Sequence, residues 1–281
     1  MSDPTDKHAV PQQRRRVVAV TGGKGGVGKS LIAANLATWW AATGRRTLAL
    51  DGDFGMADLN LLFGVAPQKT LADVLKGVPI EEVLVEAHGV TLVSALNGSY
   101  KLANLDQRSR EMILRAVDTL AERYDKLVID TAAGIGETVI ALAGAATEVV
   151  VVATPEPLSI ADAYACIKVL ATRQGVARVL LVPNSVRSTA DSDTVVQTLT
   201  TLADRFLGVK VARLPSVPWD PAVSDASAAG VPVVVYKPDA PASRAIKRVA
   251  STLEALAHTD EQPASSRLWL GREINAAGGK G

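Results

Sequence analysis

The sequence predicts an α/β protein with a doubly wound, mostly parallel sheet and helices on both faces. Three observations predict it. Runs such as "RTLALD", "KLVID" and "EVVVVATP" are continuously apolar rather than alternating, as strands covered on both faces must be. Helical patterns lie between most of these runs, the order of a parallel sheet with crossover helices. The first run passes directly into a glycine-rich turn and then a helix, a unit that places ligands at the carboxyl ends of strands.

Taken in order, residues 1–15 form a polar arm, and "VVAVTGG" is the first strand. "KSLIAANLATWWAATG" follows as a helix closed by Gly44, since glycine takes the left-handed conformation that ends helices. "RTLALD" is the next strand and ends on Asp51; "VTLVSA", "KLVID", "EVVVVATP", "RVLLVPN" and "VKVARLP" are the later ones. Helices are expected over 108–123, 159–173 and 194–206, with Ser159 as the N-cap of the second and Asp162 at its third position. The economical division is an arm (1–15), one domain (16–257) and a tail (258–281) holding a short candidate membrane-contacting segment.

Composition excludes several classes. With 281 residues, 48% apolar and 21% charged, the chain is long enough for a buried core and shows no bias to disorder. A formal net charge of +1 supplies no global field toward nucleic acid or anionic lipid. The single cysteine, Cys166, cannot form an internal disulfide or a cluster site, and His8, His88 and His258 lie too far apart for metal spacing. No signal-peptide core and no membrane-length apolar stretch is present, which predicts a cytoplasmic protein.

The chemistry centres on "VTGGKGGVGKS". Residues Gly23, Lys24, Gly25, Gly26, Val27, Gly28, Lys29 and Ser30 fit G-x-x-x-x-G-K-[ST], and Leu31 follows in the helix. Glycines let backbone N–H groups curl around phosphate oxygens, and the helix N-terminus adds partial positive charge. Lys29 is expected on the β- and γ-phosphates of ATP, or the β-phosphate of ADP, and the Ser30 hydroxyl on Mg²⁺. Asp51 and Asp53 follow one strand and Asp130 ends another, so these carboxylates point into the ligand crevice. One such group can activate water and another can hold Mg²⁺ through water. Asn184 lies just past a strand, with an amide suited to a base edge; Trp219 either stacks on a base or covers the core edge.

The string "KGGVGKS" resembles the deviant Walker A motif of the MinD/ParA family of P-loop ATPases. The resemblance runs from about residue 17 to 257 and implies an ATP-dependent homodimer. In it Lys24 reaches across the interface to phosphates held by the other subunit, a cation supplied in trans. It further implies that Lys24, Lys29 and Asp53 are catalytic, with Asp53 activating water. Asp51 supports the magnesium network, Asp130 is the Walker B aspartate, and Gly134 presents its N–H near the γ-phosphate. Asn184 reads the base, while Pro218, Trp219 and Asp220 wall the adenine. Asp58 and Asn60 stand in swapped form relative to the family pattern.

"TLADVLKG", "YDKLVIDTAAGIGETV", "TPEPLSIADAYACIKVL" and "DRFLGVKV" are similar to the FlhG branch of the family, also called FleN or YlxH. That resemblance implies slow, switch-like ATP hydrolysis and control of flagellar number, placement or assembly. The implied partners are an FlhF-like GTPase, a C-ring or switch protein and a flagellar transcriptional activator. The arm lacks the branch's "DQAxxLR"-like segment, which speaks against activation of such a GTPase by this arm. In the tail, "RLWLGREI" carries Trp269, Leu270 and Ile274 between arginines; it is either a peripheral contact at the inner face of the plasma membrane or a free tail. The alternatives are a ParA-type DNA-segregation or MinD-type division-positioning ATPase, an iron–sulfur carrier, and a non-hydrolysing scaffold. Net charge argues against nucleic acid as partner, and a lone cysteine argues against the iron–sulfur carrier.

Overall fold

The computed structural model describes residues 16–55, 57–95 and 107–256. The arm (1–15) and the tail (258–281), with the membrane and GTPase expectations attached to them, lie outside the described residues.

Among the described residues the sheet has nine strands: β1 Arg16–Thr21, β2 Thr47–Gly52, β3 Leu84–Ala87, β4 Val90–Val93, β5 Lys126–Thr131, β6 Glu148–Ala153, β7 Arg178–Val186, β8 Lys210–Arg213 and β9 Val217–Pro218. They are ordered β3-β4-β2-β5-β1-β6-β7-β8, with β9 against β7. Every pairing is parallel except β3 with β4. The predicted fold class holds.

Continuous apolar strands have a purpose here, because each face of the sheet meets its own helical layer. Successive side chains alternate between faces. Ala19, Leu48, Leu50, Leu127, Ile129 and Val151 enter one core with α4 (Gln107–Ala121), α5 (Glu137–Ala145), α6 (Pro157–Gln174) and α7 (Thr189–Leu207). Val18, Val20, Ala49, Val128, Val150 and Val182 enter the other, with α1 (Lys29–Ala42), α2 (Leu59–Leu62), α8 (Pro221–Ala228), α9 (Val233–Tyr236) and α10 (Pro241–Ala255). The short α3 (Leu71–Val74) packs on the first layer. Trp40, on α1, is fully buried.

Several elements differ from expectation. Helix α6 starts at Pro157 with Glu156 as N-cap, so Ser159 is not the cap. Proline suits the first helical turn, where its missing N–H is no loss. Ser159 is instead buried, and its hydroxyl accepts from Thr154 N at 2.9 Å, tying the end of β6 to the helix. Helix α7 begins at Thr189, earlier than 194, because Ser188 and Asp191 form a reciprocal capping box. Strand β3 forms an antiparallel hairpin with β4 through His88 and Gly89, both at positive φ (49° and 78°). It is a half-exposed edge strand whose pattern is too short to announce itself. Gly44 closes α1 as expected, at φ 84° and with its N–H on Ala41 O at 2.9 Å.

Candidate nucleotide site

The phosphate loop joins β1 to α1 at the carboxyl edge of the sheet. Close approach explains its glycines. A Cβ on Gly23 would lie 1.9 Å from Asp162 O of α6, and one on Gly28 would lie 2.3 Å from Asn184 Nδ2. Gly28 sits at φ 94° and caps α1 without any side-chain bond, and the first turn carries no acid. The helix N-terminus is therefore left to an external anion. Lys29 is buried, with Nζ 3.5 Å from Lys24 O, so its ammonium curls back over the loop. Lys24 is half exposed and pairs within its own chain with Glu156 Oε2 at 2.7 Å.

Asp51 and Asp130 are register neighbours at the ends of β2 and β5. Asp51 Oδ1 accepts from Asp53 N and Oδ2 from Leu59 N, both at 3.1 Å, which anchors the loop carrying Asp53. Burial, then the Asp130 charge, hold its carboxyl well above the ordinary range. Asp130 has a buried Oδ1 with no partner. Burial raises its carboxyl to about 7 against the Ser30 hydroxyl bond and the nearby Lys29 charge, with Asp53 and Asp58 pushing it further up. Asp53 is half exposed and its Oδ1 accepts from Gly55 N at 3.2 Å. Asp58 is the N-cap of α2 but its side chain makes no cap bond, and partial desolvation of its carboxyl, then the Asp53 charge, raises it. Asn60 donates to Val65 O at 3.3 Å.

A cation answers this arrangement: a buried, unpartnered carboxylate oxygen lies among further acids and beside the Ser30 hydroxyl. Among the described residues, no three His, Cys, Asp or Glu side chains form a metal cage. Mg²⁺ binds through one or two carboxylates together with substrate phosphates, and Asp130 beside Ser30 offers donors of that kind.

Beside the loop opens a cavity of about 680 Å³, with Gly26, Val27, Gly28 and Leu31 on one side and Asn184, Pro218, Trp219 and Asp220 among its other walls. Asn184 donates to Val27 O at 2.8 Å, and the left-handed Ser185 (φ 57°) follows it at the turn. Asn184, Pro218, Trp219 and Asp220, expected at the base-binding end, thus line one cavity. Asp220 has a further role that the sequence did not reveal: its carboxylate accepts from Ala222 N and Ala242 N, each at 3.0 Å, clasping α8 to α10. Gly134, at φ 94°, donates its N–H to Gly22 O at 3.3 Å, so in this conformation that donor already has a partner on the phosphate loop. Sequence reasoning missed Arg187, which lines the same cavity and lies over the Trp219 ring. A cation three residues beyond Asn184 was its only signal. Cys166 is buried, with Sγ 3.8 Å from Thr21 Oγ1, and packs as expected.

No helix among the described residues is long and apolar enough to cross a membrane. A family model described as "ParA: NUBPL iron-transfer P-loop NTPase" matches residues 13–254. The chain is 38% identical over 242 residues to the antiactivator FleN of Pseudomonas aeruginosa, spanning 85% of this chain and 86% of that protein. It is 39% identical over 158 residues to the flagellum site-determining protein YlxH of Helicobacter pylori, spanning 55% of this chain and 53% of that one. Among solved structures, the septum site-determining protein MinD of Pyrococcus horikoshii, complexed with Mg-ADP, matches with a TM-score of 0.71 at 25% identity, over 86% of this chain and 96% of that one.

Proposed function

The chain belongs to the ParA/MinD family of P-loop NTPases, and from that premise we propose that it is an ATP-hydrolysing, dimerising switch that controls flagellar number or placement. The observation that carries the reading is a phosphate loop with two lysines, one buried over the loop and one at its surface. Similarity to FleN and YlxH supports the flagellar output.

In this reading the open N-terminus of α1 and the Lys29 ammonium bind the phosphates. Ser30 and Asp130 would hold Mg²⁺, with Asp51 behind them, and the ion would supply neutralisation of phosphate charge. Asp53, on the loop that Asp51 anchors, orients the attacking water and takes its proton. Lys24 leaves Glu156 and reaches the phosphates of the second subunit, stabilising charge that develops on the transferred group. Hydrolysis removes the γ-phosphate, the dimer opens, and surfaces for a flagellar GTPase, a C-ring protein or a transcriptional activator are lost. Tail residues 258–281 give peripheral contact with the membrane.

The solution mass of wild-type, Asp53→Ala and Lys24→Ala protein, with ADP and with Mg·ATP, tests the switch. Asp53→Ala should accumulate as a dimer with ATP alone, and Lys24→Ala should stay monomeric. ATP binding with no change of mass in Asp53→Ala would sink the switch model. A MinD-type division-positioning role is the alternative, favoured by the likeness to solved MinD. Deletion of the gene separates the two, by changed flagellation or by misplaced septa. Iron–sulfur transfer lacks a donor set here, because the one cysteine is buried against Thr21.

A further inference from the structure

Arg187 and Trp219 approach the cavity from different elements, yet each leans on the other. Strand β9 lies along β7 with Asn184 opposite Val217 and Val186 opposite Pro218. Trp219 N donates to Val186 O at 2.9 Å, which brings the tryptophan beside the next residue of β7's end, Arg187. Arg187 N in turn donates to Asp191 Oδ2 at 2.8 Å, fixing the backbone from which the guanidinium extends. The guanidinium carbon then sits over the Trp219 ring, 5.4 Å from its centroid, within cation–π reach. Both residues and Asp191 line the cavity.

Trp219 is 56% exposed. An indole so exposed has little packing to hold its rotamer, and a ligand that stacked on it would have to order it first. Among the described residues, the Arg187 guanidinium over the ring is a contact that can order it.

We propose that Arg187 is a positioning residue for the nucleotide base: stacked on Trp219, it holds the exposed indole as a wall of the cavity, and the purine stacks on that wall. The inference rests on the ATP-site reading above and adds to it a residue that acts through Trp219, not through the phosphates. It also gives Trp219 the stacking role that the sequence left open. The phosphate loop holds the charged end of the nucleotide whatever its base, so this pair contributes where the base is, and its loss is felt only by ligands that have one.

Calorimetric titration with Mg·ADP and with Mg·tripolyphosphate, which lacks a base, tests this on wild-type, Arg187→Met, Arg187→Lys, Trp219→Ala and the Arg187→Met/Trp219→Ala double variant. Trp219→Ala should weaken ADP by roughly 10- to 100-fold, the range that base–aromatic stacking supplies. Arg187→Met should weaken it by about 2- to 5-fold, as a cation–π contact at an exposed site does. Arg187→Lys should recover part of that, and the double variant should match Trp219→Ala alone. Tripolyphosphate affinity should be the same in all five proteins. Unchanged ADP affinity in Arg187→Met, an additive loss in the double variant, or weakened tripolyphosphate binding would each overturn the proposal. The last outcome would make Arg187 a phosphate contact. Wild-type protein that binds neither ligand would instead overturn the ATP-site reading itself.

Discussion

Asp51 and Asp130 stand side by side at the carboxyl ends of adjacent strands, and they are not equivalent. Both carboxylate oxygens of Asp51 accept backbone N–H bonds, whereas Asp130 Oδ1 is buried with no partner. One acid is built into the loop that follows β2; the other is held ready for a ligand.

That difference predicts a pH dependence of the metal-free protein. The folded-state value of Asp130, about 7, lies above the ordinary value near 3.8. The native state therefore binds more protons than the unfolded chain between these limits, and stability falls as pH rises through them. At 1.36 kcal/mol per pH unit the ceiling is about 4 kcal/mol. Burial displaces Asp51 in the same direction, so it adds to the slope. Asp130→Asn should flatten the fall in denaturant midpoint between pH 4 and 7 in chelator, and should also abolish the Mg²⁺ dependence of nucleotide binding. A variant as pH-sensitive as wild type would refute the assignment.

Two loop glycines should behave oppositely on substitution by alanine. A Cβ at Gly23 runs into the Asp162 carbonyl at 1.9 Å, and backbone cannot step aside cheaply; a Cβ at Gly25 meets nothing within 4 Å. Gly23→Ala should cost about 3 kcal/mol or more and disturb the packing of α6 on the loop. Gly25→Ala should leave thermal stability within about 0.5 kcal/mol of wild type. Unfolding curves of the pair check this, and equal losses would contradict the packing described.

Asp220→Ala should act on stability. It removes the acceptor for Ala222 N and for Ala242 N, two charge-assisted bonds at the starts of α8 and α10. A loss of about 2–4 kcal/mol follows from such bonds. ADP affinity measured on the folded fraction at low temperature should stay within about threefold of wild type. A large affinity loss at unchanged stability would show that Asp220 acts on the base as well as on the two helices.

The Lys24–Glu156 pair should contribute little to the monomer. Its side chains are 36% and 66% exposed, and ion pairs in such settings are worth about 0–1 kcal/mol. Lys24→Ala and Glu156→Gln should each unfold within about 1 kcal/mol of wild type. Any failure of Lys24→Ala to dimerise with ATP is then a loss of the trans contact, not of the fold.

By itself the sequence determined the sheet class, the position of the phosphate loop and the residues that gather at the strand ends. Those features are written locally: an apolar run of strand length, a glycine spacing, an acid directly after a strand. Asn184, Pro218, Trp219 and Asp220, which the sequence put at the base-binding end, line one cavity, because the carboxyl ends of parallel strands share an edge. Only the tertiary structure decided which acid is satisfied and which is open, that Ser159 bonds back to Thr154 instead of capping α6, and that Asp220 clasps two helices. It alone showed that Arg187 meets Trp219. Each of these depends on which backbone N–H, carbonyl or ring arrives from a distant part of the chain. Spacing along one element carries the period of a helix or strand, but a buried group's hydrogen-bond partner is set by packing between elements.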